Sequence, residues 1–195
     1  MMKTDRGFTL VEMIVVISIF TIMTGVVLAN LPQFRERTAL QLVAQKMAIT
    51  IREAQVYGVG VKSFGTEFPS HGIYFYPTTG ASSNLKSYIL FADDPSSNNN
   101  KYDPPNEKVT QYDLTGTVEI QTIETCSSSS SCTPQAGGMN IVFDRPKTEA
   151  NFTDPSSGAP ISSASYANII IVSNRSLETR TIQVWNTGQI SVKSP

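Results

Sequence analysis

The apolar run from Phe8 to Ala29 decides most of what this chain can be, because only one charged side chain, Glu12, interrupts it. As a helix the run covers about 33 Å, close to the hydrocarbon thickness of a bilayer. A carboxylate in a spanning helix costs about 2.5–3.5 kcal/mol at mid-bilayer and less near the ends, so Glu12 asks for a partner. Just before the run stands Gly7, after a short polar leader that carries Lys3, Asp5 and Arg6. A cut after Gly7 leaves a new α-amine on Phe8, with Glu12 one helical turn further on. In a bundle of such helices, the amine of one copy and the carboxylate of a neighbour neutralise each other. A secretory signal peptide fits poorly, since its apolar region is shorter and its small cleavage residue follows the run rather than preceding it. An ordinary single-span anchor explains the length but not Glu12.

The string Arg6-Gly7-Phe8-Thr9-Leu10-Val11-Glu12-Met13-Ile14 resembles the class III signal of type IV prepilins and type II secretion pseudopilins. The resemblance implies that a prepilin peptidase cuts after Gly7 on the cytoplasmic side and N-methylates Phe8. It also implies that Glu12 is the assembly carboxylate. The expected partners are prepilin peptidase, other pilin or pseudopilin subunits, the inner-membrane assembly platform and, before assembly, membrane lipid. The expected location is a bacterial inner membrane, crossed once, with the head outside the cytoplasm, and then a pilus or pseudopilus. Lys3 and Arg6 favour a cytoplasmic N-terminus, whereas Arg35 and Arg37 beyond the other end, offset by Glu36, pull against it. The resemblance covers only the N-terminal segment.

A chain of 195 residues has room for one anchor and one domain with its own core. Its 15 basic and 16 acidic residues leave a net charge of −1, so no global field points to nucleic acid. Hydrophobic content of 40% and charged content of 16% suit a globular head rather than a disordered tail. Four segments are expected: a cleaved leader over 1–7, a transmembrane assembly helix over 8–30, an amphipathic helix over 31–60 and a β-rich head over 61–195. Pro32 predicts a kink or local break. Beyond it, Phe34, Leu40, Val43, Met47, Ile51 and Ala54 recur at helical spacing and predict one buried face, with Gly58 and Gly60 as stop signals.

From residue 61 the pattern changes to short strands bounded by turn residues. Strands are predicted at 72–76, 88–91, 109–114, 118–123, 140–143, 168–172, 181–185 and 189–192. The last two flank Asn186-Thr187-Gly188, a good hairpin loop. Two long polar stretches, 94–106 and 148–165, read as loops. The predicted fold class is α+β, a long N-terminal helix packed on an antiparallel β-sheet head. The order of these patterns, with Ile141–Arg145 and the Gly188 turn, resembles the minor pseudopilin H and FimT-like group, in which such a head sits near the filament tip.

The head offers no catalytic set, and an enzyme is not expected. His71 is the only histidine, so a Ser-His-Asp triad has nowhere else to form; it reads as a turn residue before a strand. Cys126 and Cys132 flank five serines. In an exported domain they read as a disulfide closing a hairpin tip, with free thiols as the alternative. The loop from Asp93 to Glu107 is crowded with oxygen donors. Asp93, Asp94, Asn98, Asn100, Asp103 and Glu107 are candidate Ca²⁺ ligands, although the spacing lacks the regular ladder and its glycine. A solvated turn-rich loop is the preferred reading there. No other cofactor is expected. Arg175, Arg180 and Lys193 are the candidates for DNA contact, which some FimT-like pilins make with the end of the head. No basic cluster surrounds them in the sequence, so nucleic acid is not an expected partner. The expected function is a minor pilin-like subunit of a type II secretion or type IV pilus machine, with a DNA-uptake or adhesion pilin as the alternative.

Overall fold

A computed structural model of the chain describes residues 7–194 apart from Val61, Ala81, Ser82, Asn98 and Ser162. The predicted leader residues Met1–Arg6 and the candidate ligand Asn98 therefore lie outside the described residues. By internal contacts the chain divides into two units, Met1–Thr38 and Ala39–Pro195.

The first unit is the apolar segment. It is helical from Leu10, where α1 (Leu10–Val59) begins. The helix runs through Pro32, where the sequence predicts a kink or break. Proline lacks only one donor, and the rungs on either side suffice to carry the helix past it. Residues 8–30 are exposed throughout, so this segment is apolar all round and has no core of its own. Phe34, predicted to share the buried face, is also exposed at 69%. It lies upstream of Leu40, the first residue of α1 that the head buries.

Among the described residues, the second unit holds the rest of α1 and ten strands: β1 (Ser70–Phe75), β2 (Ser87–Asp93), β3 (Lys108–Asp113), β4 (Val118–Ser128), β5 (Ser131–Pro134), β6 (Met139–Phe143), β7 (Ala150–Thr153), β8 (Tyr166–Ser173), β9 (Thr179–Trp185) and β10 (Ile190–Lys193). They form two antiparallel sheets, ordered β3-β2-β1-β6-β7 and β10-β9-β8-β4-β5. Leu40, Val43, Ala44, Met47, Ile51 and Ala54 bury one helical stripe against the inward side chains of both sheets, such as Ile73, Phe143, Ile169 and Val184. The observed class is α+β, with a pilin-like layout of one long helix on antiparallel sheets.

Polar contacts fix the helix in this groove. Gln55, nearly buried, donates from Nε2 to the carbonyls of Thr148 (2.8 Å) and Gly188 (3.1 Å). The Tyr88 hydroxyl donates to Thr50 Oγ1 at 3.3 Å. The Tyr57 and Tyr112 hydroxyls donate to the two carboxylate oxygens of Glu53. Gly58 is inside the helix rather than after it. It is buried against β6, and a Cβ there would overlap the Phe143 carbonyl and reach 3.1 Å from the Phe143 Cβ.

Two strands are absent from the sequence-based reading. β5 is a short, wholly exposed, Ser-rich strand, and β7 lies within the stretch predicted as a loop at 148–165. Neither shows a hydrophobic alternation long enough to detect. His71, predicted in a turn, sits within β1 opposite Ala92 and Phe143. It is 1% exposed, with Nδ1 at 3.1 Å from the Pro69 carbonyl and the Tyr57 ring edge-on to it.

Candidate functional site

The first candidate site is the segment from Gly7 to Glu12. Gly7 and Phe8 precede the helix, and both are exposed. A Cβ on Gly7 meets no atom within 4 Å. The fold of the described residues therefore does not require glycine there, and any such requirement lies with whatever reads the segment. Thr9 Oγ1 accepts from the Glu12 backbone N–H at 3.2 Å, which makes Thr9 the N-cap of α1 and Glu12 its third helical residue. The Thr-x-x-Glu pattern at a helix start was available in the sequence, and among the described residues only its Thr9 half is formed. The negative charge of Glu12 sits favourably at the helix N-terminus.

Other polar groups in this segment are satisfied locally. Ser18 donates to Ile14 O, Thr21 to Ile17 O and Asn30 to Val26 O, at 2.8, 2.8 and 3.1 Å. The Glu12 carboxylate differs, since it has no hydrogen-bond or ion-pair partner among the described residues. The single helix long and apolar enough to cross a membrane among those residues is α1.

The second candidate site is the acidic loop after β2. Asp93 is 1% exposed; its carboxylate accepts from the backbone N–H groups of Asn99 (3.4 Å) and Asn100 (2.9 Å). Burial raises its pKa to about 6, and the nearby Glu107 adds to the shift while the two N–H bonds oppose it. Glu107, also buried, accepts from the N–H groups of Asp94 (3.0 Å) and Asp103 (2.6 Å) and from the Ser97 hydroxyl. Asp103 accepts from Asn99 Nδ2 at 2.7 Å and pairs with Lys101 at 2.9 Å; these contacts lower its pKa. Asp94 accepts from the Ser96 N–H, which lowers its pKa too. Asn100 has positive φ, and its Oδ1 is buried without a hydrogen-bond partner. These carboxylates act as acceptors for the loop's own backbone. Among the described residues, no three of the four bring oxygens within 4.8 Å of one another.

Arg175, Arg180 and Lys193 come to one end of the second sheet, at the β8–β9 turn and the last residue of β10, whose partner is Thr181. Arg180 is spent locally, donating to Gln41 Oε1 (3.0 Å) and the Thr179 carbonyl (2.7 Å). Glu119, on β4 opposite Val172, and Glu178 share that end, so it is of mixed charge. Cys126 and Cys132 face each other across the β4–β5 hairpin and form a disulfide. Glu124 lies beside them, but sulfurs bonded to each other are not available to a metal.

Residues 2–28 match the family described as the prokaryotic N-terminal methylation motif. No curated protein and no solved structure matches the chain. The matched segment is a type IV prepilin-like signal. It supports a type IV pilin-like protein, processed by prepilin peptidase and assembled with other pilins, and its apolar helix is consistent with a single-pass membrane anchor.

Proposed function

We propose that this chain is a minor pilin-like subunit, a pseudopilin, of a type II secretion or type IV pilus machine, most akin to the minor pseudopilin H and FimT-like group. It is cut after Gly7, methylated on Phe8 and held in the inner membrane with its head outside the cytoplasm. It enters a filament as the helices pack, with Glu12 facing the Phe8 amine of a neighbouring subunit. The observation that carries this reading is the methylation motif on a helix that is apolar on every side and bears one unpartnered carboxylate. Helix association in lipid draws on close packing and on relief of unpaired polar groups, and both are on offer here.

The head acts by docking rather than by catalysis, and no reaction is assigned to it. Its acidic loop is a self-bonded turn structure rather than a Ca²⁺ site, because its oxygens already serve backbone donors. DNA contact is not favoured, since the candidate basic residues share their end of the sheet with carboxylates. Deletion in the native host, scored for surface pili and for proteins released to the medium, tests the assignment. Loss of pili alone makes the chain a minor pilin, and trapped cargo with intact pili makes it a secretion pseudopilin. No effect on either refutes the proposal. A bulky replacement of Gly7 is expected to leave the leader attached by mass measurement, and normal trimming of that variant would refute the assigned cut.

A further inference from the structure

The outer face of the first sheet carries an aromatic cavity. Alternation along β1 turns Ile73 and Phe75 into the core and Tyr74 outward, with Tyr76 on the same side just beyond the strand. The long loop after β2 returns Tyr102 across this face. Its ring centroid lies 5.2 Å from that of Tyr74 and 5.7 Å from that of Phe91, and Tyr74 and Tyr76 meet edge-on at 4.9 Å. Gly72 makes room below, since a Cβ there would come within 2.8 Å of the Phe91 ring. The three tyrosines, with Asp103, Pro104 and Pro155, line a cavity of about 370 Å³, within the usual range of small-ligand pockets.

We propose that this cavity binds a neutral sugar residue. The three tyrosine hydroxyls have no hydrogen-bond partner among the described residues, although each ring is only partly exposed. Aromatic faces take the C–H face of a pyranose, and the hydroxyls and the spare lone pairs of Asp103 take its hydroxyl groups. A purely apolar ligand would leave those polar atoms unmet. A cation gains little, because Lys101 already neutralises Asp103 at 2.9 Å, and an anion meets a carboxylate.

Saturation-transfer NMR on the full chain in detergent, with glucose, galactose, N-acetylglucosamine and cellobiose as probes, tests this. Transfer is expected from at least one probe at about 20 mM, the range of weak single-sugar affinity. Tyr102→Ala should weaken it about tenfold by removing a stacking face. Tyr76→Phe, which keeps the ring, should weaken it about fivefold through one lost hydrogen bond. Transfer from none of the probes overturns the proposal, as does binding unchanged in both variants. Saturable binding of tetramethylammonium with no sugar binding also overturns it.

Discussion

Replacing Gly58 with alanine sets two opposite effects against each other within one helix. Alanine is favoured over glycine in a helix interior by about 0.8–1.0 kcal/mol, so on propensity alone the variant gains stability. The site says otherwise. The added Cβ would overlap the backbone carbonyl of Phe143 and come within 3.1 Å of its Cβ. Phe143 is fully buried in β6, between β1 and β7, so its backbone cannot move without shifting two strand pairings. Overpacking of this kind costs about 1–3 kcal/mol. Overlap with a fixed backbone carbonyl falls at the upper end of that range, so the net expectation is a loss of about 2 kcal/mol, or several degrees of melting temperature for a head of this size. The assay is thermal unfolding of the full chain in detergent, followed by fluorescence of Trp185, the only tryptophan and a residue of β9. Gly25→Ala is the control, since a Cβ there meets nothing within 4 Å, and it should leave the transition in place. A Gly58→Ala variant as stable as the parent or more so would refute the close-packing argument.

Glu12→Ala should still be trimmed and methylated, because the peptidase signal is intact, yet fail to enter filaments; normal incorporation in sheared preparations would remove the assembly role. Loss of its negative charge at the helix N-terminus is a separate and smaller effect, of a few tenths of a kcal/mol, because the backbone N–H at that position keeps its bond to Thr9 in the variant. Paired Cys126→Ser and Cys132→Ser changes should lower the melting temperature by a few degrees, at the weak end of disulfide effects because the hairpin already pairs these residues. An unchanged transition would show the bridge to be dispensable. Asp93 governs a pH effect: its folded pKa of about 6 lies above the ordinary carboxylate value, so the native state binds the extra proton. Its contribution is therefore complete below about pH 4 and is lost as pH rises through about 6, about 3 kcal/mol in all. Urea midpoints should fall mainly between about pH 4 and 6, and Asp93→Asn should flatten that fall; an identical slope in the variant would place the titration elsewhere.

Where apolar spacing carries the signal, the fold was legible in the sequence. Leu40, Val43, Met47, Ile51 and Ala54 mark the buried helical stripe, and eight of the ten strands coincide with runs rich in Ile, Val, Tyr and Phe. The hairpin at Asn186–Gly188 follows from its turn chemistry, with Gly188 at positive φ. What spacing does not encode was missed. Ser131–Pro134 is a strand only because Glu124, Thr125, Cys126 and Ser128 of β4 hold it in register. Phe34 continues the helical period but is exposed and lies in the first unit; the period alone does not say where burial begins. Gly58 reads as a helix stop by residue type, whereas its role is set by a strand distant in sequence.

The loop after β2 shows what an oxygen-rich composition also does for a backbone. Counting oxygen donors from Asp93 to Glu107 suggests a cation. A compact loop, however, must also satisfy its own backbone N–H groups, and short acidic side chains are the nearest acceptors. Glu107 takes the N–H groups of Asp94 and Asp103, and Asp93 takes those of Asn99 and Asn100. Those bonds hold the two ends of the loop together and deliver Tyr102 to the outer face of the sheet. The carboxylates thus shape the loop, and the outer surface that the loop helps to build is aromatic. A Glu107→Gln change tests that division of labour, since Asp94 and Asp103 donate to different oxygens of Glu107 and glutamine keeps only one acceptor. It should cost one of those two amides its protection in hydrogen exchange, whereas Glu107→Ala should cost both and release Tyr102. Equal protection in both variants would mean that the loop is held by its aromatic contacts alone.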